Sequence, residues 1–224
     1  MREAGVRQTL IPALIVFSTA VCVFLVIALA IDLSAAVTAL DTSVATWLHV
    51  RATPLVSNAM AAVSFLGAPT TLTVVAVAGS LLLVYQRRRA EAATLSTAVL
   101  GGNFLNFCLK HLIQRGRPVF DDPIFSLPTY SFPSGHAMAS AVFYGLLAIY
   151  ASVNAKQRYA AKVAIAGAVF MVALVSFSRV YLGLHYLSDV IGGIAEGIAW
   201  LALSLTVLRY IRRGEAGAGV HTDR

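Results

Sequence analysis

With 224 residues, 58% of them hydrophobic and only 12% charged, and a mean hydropathy of +0.79, the chain carries about half the charge of an ordinary soluble domain. That excludes a water-soluble globular protein and fits an all-α, polytopic membrane protein. The formal net charge of +7 is no nucleic-acid footprint, because the basic residues sit at the ends of apolar runs and form no stripe with interleaved aromatics.

Hydropathy predicts six spans, at about residues 10–31, 67–86, 92–112, 136–153, 161–178 and 187–208. The first run exceeds the ~7–15 apolar residues of a signal peptide, and no small-x-small cleavage site follows promptly, so it reads as a permanent span. Between spans one and two, Asp41 is expected to cap a short helix carrying Val44, Trp47 and Leu48, lying at the membrane interface with the tryptophan at headgroup level. Cys22 and Cys108 both fall inside spans, so neither a disulfide framework nor a metal-ligand spacing is expected. Residues 1–213 are read as a single membrane domain. The Gly-, Ala- and charge-rich stretch 214–224 is read as a flexible cytoplasmic tail.

An even number of spans puts both termini on one side. Of the 17 lysines and arginines, all but Arg51, Lys110, Arg115, Arg117 and Arg179 then share that side, which the positive-inside rule assigns to the cytoplasm.

Three segments break the oily background: Lys110-x6-Arg117-Pro118, Pro133-Ser134-Gly135-His136, and Ser178-Arg179-x5-His185-x3-Asp189. They supply three cations, two histidines and a carboxylate, and they read as one phosphate site, since charge placed in lipid is costly and usually functional. The span layout puts all three on the outer face. His185 and Asp189, four apart, share one helix face, so the carboxylate can fix the imidazole tautomer.

The segments match at every specified position the signature of the type 2 phosphatidic acid phosphatase superfamily, which the chain resembles over residues 110–189. The resemblance implies a six-span helical phosphatase core, with His185 as the nucleophile that forms a phosphohistidine, Asp189 holding its other ring nitrogen, and His136 as the general acid and base. Lys110, Arg117, Ser134, Gly135 and Arg179 are expected to bind the phosphoryl oxygens, Gly135 through a backbone N–H at a helix start. No metal and no cofactor is implied. The expected partners are the bilayer and a lipid phosphate, such as undecaprenyl diphosphate, phosphatidylglycerophosphate or phosphatidic acid, and no nucleic acid. The expected location is the bacterial cytoplasmic membrane, with the site facing outward. A lipid phosphotransferase using the same residues is the alternative, and a non-catalytic lipid-phosphate carrier is the rival from another class.

Other residues draw weaker expectations. Arg115 is taken as a headgroup anchor. Asn103 and Asn106 share a helix face with Lys110, and Glu196, seven residues beyond Asp189, is a mid-membrane carboxyl suited to proton movement or to pairing with an asparagine. Gly192, Gly193 and Gly197 suit close helix packing, and Asp121 and Asp122 suit a solvated turn. Phe125, Tyr130 and Phe132 suit either a lipid access route or loop anchoring.

Overall fold

Long apolar stretches can cross a bilayer only when their backbone hydrogen bonds close internally, and the chain does this with helices throughout. The computed structural model describes residues 2–125, 127–154 and 157–218. Its helices are α1 Arg2–Leu33, α2 Ala35–Val50, α3 Pro54–Leu66, α4 Pro69–Tyr85, α5 Arg89–Ile113, α6 Gly135–Asn154, α7 Arg158–Tyr181 and α8 Leu187–Ala218. No strand occurs among the described residues. Six segments are long and apolar enough to span a membrane: Leu10–Leu33, Pro54–Tyr85, Arg89–Ile113, Gly135–Val153, Arg158–Tyr181 and Leu187–Leu208.

α6 lies at the centre and packs on α5, α7 and α8, while α1 runs along α8 and α4 along α5. Leu72, Ala98, Val99, Met138, Val142 and Leu146 make the innermost layer. Outward-facing positions of α1, α4 and α7 stay apolar, with Ile15, Leu29, Val74, Val169 and Phe170 exposed, as lipid requires. Glycines set how closely α8 approaches α6. A Cβ at Gly193 would fall 2.4 Å from the Ser134 carbonyl oxygen, and one at Gly197 would fall 2.7 Å from that of Met138, so the expectation of close packing holds.

Two expectations change here. The segment before span two is not one short interfacial helix but two helices, α2 and α3. Proline at the first position starts both α3 and α4, and Gly67 separates them; at that corner the chain runs so close to α7 that a Cβ on Gly67 would lie 2.2 Å from Val175 Cγ1. Asp41 is not a cap. Ser34, in extended conformation, caps α2 by accepting from the Val37 N–H, whereas Asp41 lies within the helix and is buried. At the other end, α8 continues through Ala218, and residues 219–224 of the expected tail lie outside the described residues.

Candidate active site

Four helix ends meet at one end of the bundle: the C-termini of α5 and α7 and the N-termini of α6 and α8. Each delivers part of a motif there, and Arg117, Tyr130 and Ser131 of the segment between α5 and α6 bond to them.

α5 ends on Gln114 in left-handed conformation, its N–H bonded to the Lys110 carbonyl. This leaves Lys110 Nζ to donate to the carbonyls of Tyr130 (2.7 Å) and Ser131 (3.3 Å). Arg117 donates from Nε to the Thr129 carbonyl (2.7 Å) and from Nη2 to Thr129 Oγ1 (2.8 Å) and the Tyr130 carbonyl (3.1 Å). Its Nη1 bonds the Leu184 carbonyl and lies 3.3 Å from His185 Nε2. Both cations thus tie the loop down while keeping their charge beside His185.

Ser134 opens α6. Its N–H donates to the Asp189 carbonyl at 2.9 Å, and its own carbonyl accepts from Met138. Gly135 and His136 therefore occupy the first turn of α6, where free N–H groups and the helix dipole favour an anion. Ser134 is fully buried, and its hydroxyl has no protein partner among the described residues.

From α7, Arg179 is 4% exposed. Its Nη1 donates to Ser64 Oγ of α3 at 2.6 Å, while its Nε is buried and unpartnered among the described residues. Gly183, at φ +69°, turns the chain between α7 and α8, with Phe120 packed where a side chain would stand. His185 follows, 2% exposed. Burial, with Arg117, Lys110 and Arg179 nearby, holds its imidazole well below the usual histidine range. Its Nδ1 lies 3.6 Å from Asp189 Oδ2, an ion-pair distance rather than a hydrogen bond.

A model of the PAP2 superfamily, the type 2 phosphatidic acid phosphatases, matches residues 91–213. The chain belongs to this superfamily. It is 33% identical over 184 residues to phosphatidylglycerophosphatase B of Bacillus subtilis, covering 78% of this chain and 86% of that one. It is 35% identical over 153 residues to a lipid A 1-phosphatase of Rhizobium etli, covering 61% of each chain. The crystal structure of a transmembrane PAP2-type phosphatidylglycerolphosphate phosphatase from Bacillus subtilis superposes with a TM-score of 0.76 at 29% identity, covering 87% of this chain and 96% of that one.

Within this PAP2 fold, hydrogen bonds and packing draw Lys110, Arg117, Ser134, Gly135, Arg179, His185 and Asp189 together, with His136 in the turn beside them. Arg115, expected as a headgroup anchor, is instead half-buried at the site. It donates from Nη1 to Asp189 Oδ1 (2.6 Å) and Ser188 Oγ (2.7 Å), and from Nη2 to Asp41 Oδ2 (2.8 Å). Removing one partner from such a buried ion pair typically costs about 3–5 kcal/mol. Glu196 pairs with Asn106, whose amide donates to Oε2 at 2.7 Å, whereas Asn103 bonds Thr73 on α4 at 2.8 Å. Phe132 neither anchors the loop nor faces lipid; it is fully buried against Phe24 and Gly192. Asp122 stays exposed but bonds His49 of α2 at 2.9 Å.

Sequence reasoning missed Asp41, Ser64, Ser188 and Thr129. Ser57 and Ser64 did carry a signal: seven residues apart on α3, they fall on one face, and both are buried.

Proposed function

We propose that this PAP2 protein is an integral membrane lipid phosphatase. It removes a phosphomonoester or diphosphate group from a lipid in two steps through a phosphohistidine on His185. The observation that carries this reading is a pair of buried donors, Ser134 Oγ and Arg179 Nε, lacking protein partners among the described residues in the same cluster as Lys110, Arg117 and the His185 Nε2 atom. A phosphoryl group satisfies both donors and neutralises the cations.

His185 Nε2 attacks phosphorus as a phosphoryl oxygen takes over the Arg117 Nη1 donor. The bond from phosphorus to the lipid oxygen breaks, and His136 protonates that leaving oxygen. His136 then takes a proton from water, the resulting oxygen attacks phosphorus, and the phosphorus–nitrogen bond breaks to release inorganic phosphate. Asp189 faces Nδ1 and stabilises the positive charge that the ring acquires. The 3.6 Å separation tightens once that charge develops.

Two features support a lipid substrate. The site lies at the ends of membrane-spanning helices. An apolar groove of about 690 Å³ between α2, α7 and α8, lined among others by Trp47, Leu48, Val180, Leu187 and Val190, runs past the helix start that carries Asp189. The relatives are named for lipid phosphates. The distribution of basic residues supports a site on the exterior face of a bacterial cytoplasmic membrane. Purified protein in nanodiscs, offered phosphatidylglycerophosphate, undecaprenyl diphosphate, phosphatidic acid and a soluble sugar phosphate, should release phosphate from at least one lipid. Release from the soluble ester alone would overturn the lipid reading.

A further inference from the structure

The first outer helix, α2, lies outside the matched residues 91–213 and contains no residue of the signature. It nevertheless sends one carboxylate, Asp41, 1% exposed, into the site. We propose that Asp41 and Arg115 are positioning residues for the reaction: Asp41 fixes Arg115, and Arg115 occupies one oxygen of Asp189 so that the other faces His185. The proposal rests on His185 being the nucleophile and Asp189 its partner.

The two oxygens of Asp189 have divided tasks. Oδ1 accepts from Arg115 Nη1 at 2.6 Å, while Oδ2 accepts from the Tyr186 N–H at 2.8 Å and faces His185 Nδ1. With both oxygens engaged, the carboxylate cannot rotate without losing a bond. Without Arg115, only the Tyr186 N–H would resist that rotation.

Arg115 is itself immobilised. Nη2 meets Asp41 Oδ2 at 2.8 Å, Nη1 also meets Ser188 Oγ at 2.7 Å, and the guanidinium lies over the Tyr186 ring, 4.4 Å from its centroid. A planar fork can bridge two carboxylates in fixed directions, which a lysine ammonium cannot. Asp41 also accepts from the Ser188 N–H at 3.0 Å and from the Ser188 hydroxyl. It thereby fixes the first turn of α8, which carries Asp189. Holding α2 against the bundle would not require charge, because an apolar pair of similar size does so without the desolvation cost. A buried carboxylate–guanidinium–carboxylate chain ending on Asp189 sets direction as well as adhesion.

Asp41→Asn, Arg115→Lys and Arg115→Ala are to be purified alongside wild type and His185→Ala, with activity expressed per mole of monodisperse, cooperatively melting protein. Asp41→Asn should lower kcat about 10-fold and Arg115→Ala about 100-fold, each with KM within about twofold of wild type. Ethylguanidinium should raise kcat of Arg115→Ala several-fold, while Arg115→Lys should not recover it. In rapid quench, phosphoenzyme formation should slow in parallel. Variants that keep wild-type kcat, that raise KM alone, or that lose only folded yield overturn the positioning role. If wild type turns over and His185→Ala does not, such a result counts against this inference alone. If His185→Ala retains turnover, the nucleophile assignment falls and the inference with it.

Discussion

Arg117 Nη1 lies 3.3 Å from His185 Nε2. Arginine can only donate, so this ring nitrogen is an acceptor and the imidazole proton sits on Nδ1, facing Asp189. The lone pair proposed to attack phosphorus is thus held in the site by the cation proposed to grip the phosphoryl oxygens.

This arrangement fixes the sign of a pH effect. Protonating His185 removes its lone pair, and burial together with Arg117, Lys110 and Arg179 opposes that protonation. Any alkaline limb of the kcat/KM profile reports the proton that His136 must donate, whereas the acid limb, which reports His185, should lie below pH 6.5, the ordinary histidine value. In Arg117→Gln one opposing charge is gone, so the acid limb should move to higher pH. The second ionisation of the phosphate substrate, at about pH 6, is common to both enzymes and cancels in the comparison. An unmoved limb contradicts the electrostatic coupling.

The Arg179 to Ser64 bond, 2.6 Å and buried, predicts a cost on the substrate side. Hydrogen bonds to charged groups are worth about 1.5–3 kcal/mol, so Ser64→Ala should reduce kcat/KM by about 10-fold or more. Ser64→Thr, which keeps the hydroxyl, should retain most activity. Steady-state kinetics that find the two variants alike would remove Ser64 from the site.

Close packing at Gly193 gives a steric prediction. A methyl there would press on the Ser134 carbonyl from 2.4 Å, and overpacking of this kind costs about 1–3 kcal/mol. Gly193→Ala should lower the melting temperature in detergent by several degrees and reduce turnover with it. Gly167→Ala, where a Cβ would meet nothing within 4 Å, should lower neither, since alanine suits a helix interior better than glycine.

Much of the site was legible because its residues come at fixed spacings and because six spans bring every motif to one face. Its supporting residues were not. Asp41 and Arg115 are 74 positions apart, and nothing local distinguishes a carboxylate that will be buried against a distant guanidinium from one that caps a helix. Asp41, ahead of Val44, Trp47 and Leu48, reads as a cap; Ser34 takes that role because it is the extended residue between α1 and α2, while Asp41 lies inside the helix. α3 escapes a reading as a span because its 13 residues are too few to cross a bilayer on their own. Its boundary signals, Pro54 at the start and Gly67 at the end, were present in the sequence. The Asn106–Glu196 pair was legible as a possibility, since both lie on bundle-facing sides, but choosing the partner needed the packing of α5 on α8.

Vanadate adopts five-coordinate geometry like that of phosphorus during transfer, so it should inhibit at micromolar to millimolar concentration by competing with lipid substrate. EDTA should leave turnover intact, because Lys110, Arg117 and Arg179 supply the positive charge. Loss of activity in EDTA with rescue by a divalent ion contradicts that division of labour.

The most direct test is to trap the covalent intermediate. Wild-type protein mixed with a lipid substrate labelled in its terminal phosphate and quenched in alkali should carry acid-labile, base-stable label on His185 by peptide mapping. His185→Ala should fold, carry no label and release no phosphate. Label on another residue, or phosphate release by His185→Ala at the wild-type rate, would contradict the two-step reaction through this histidine.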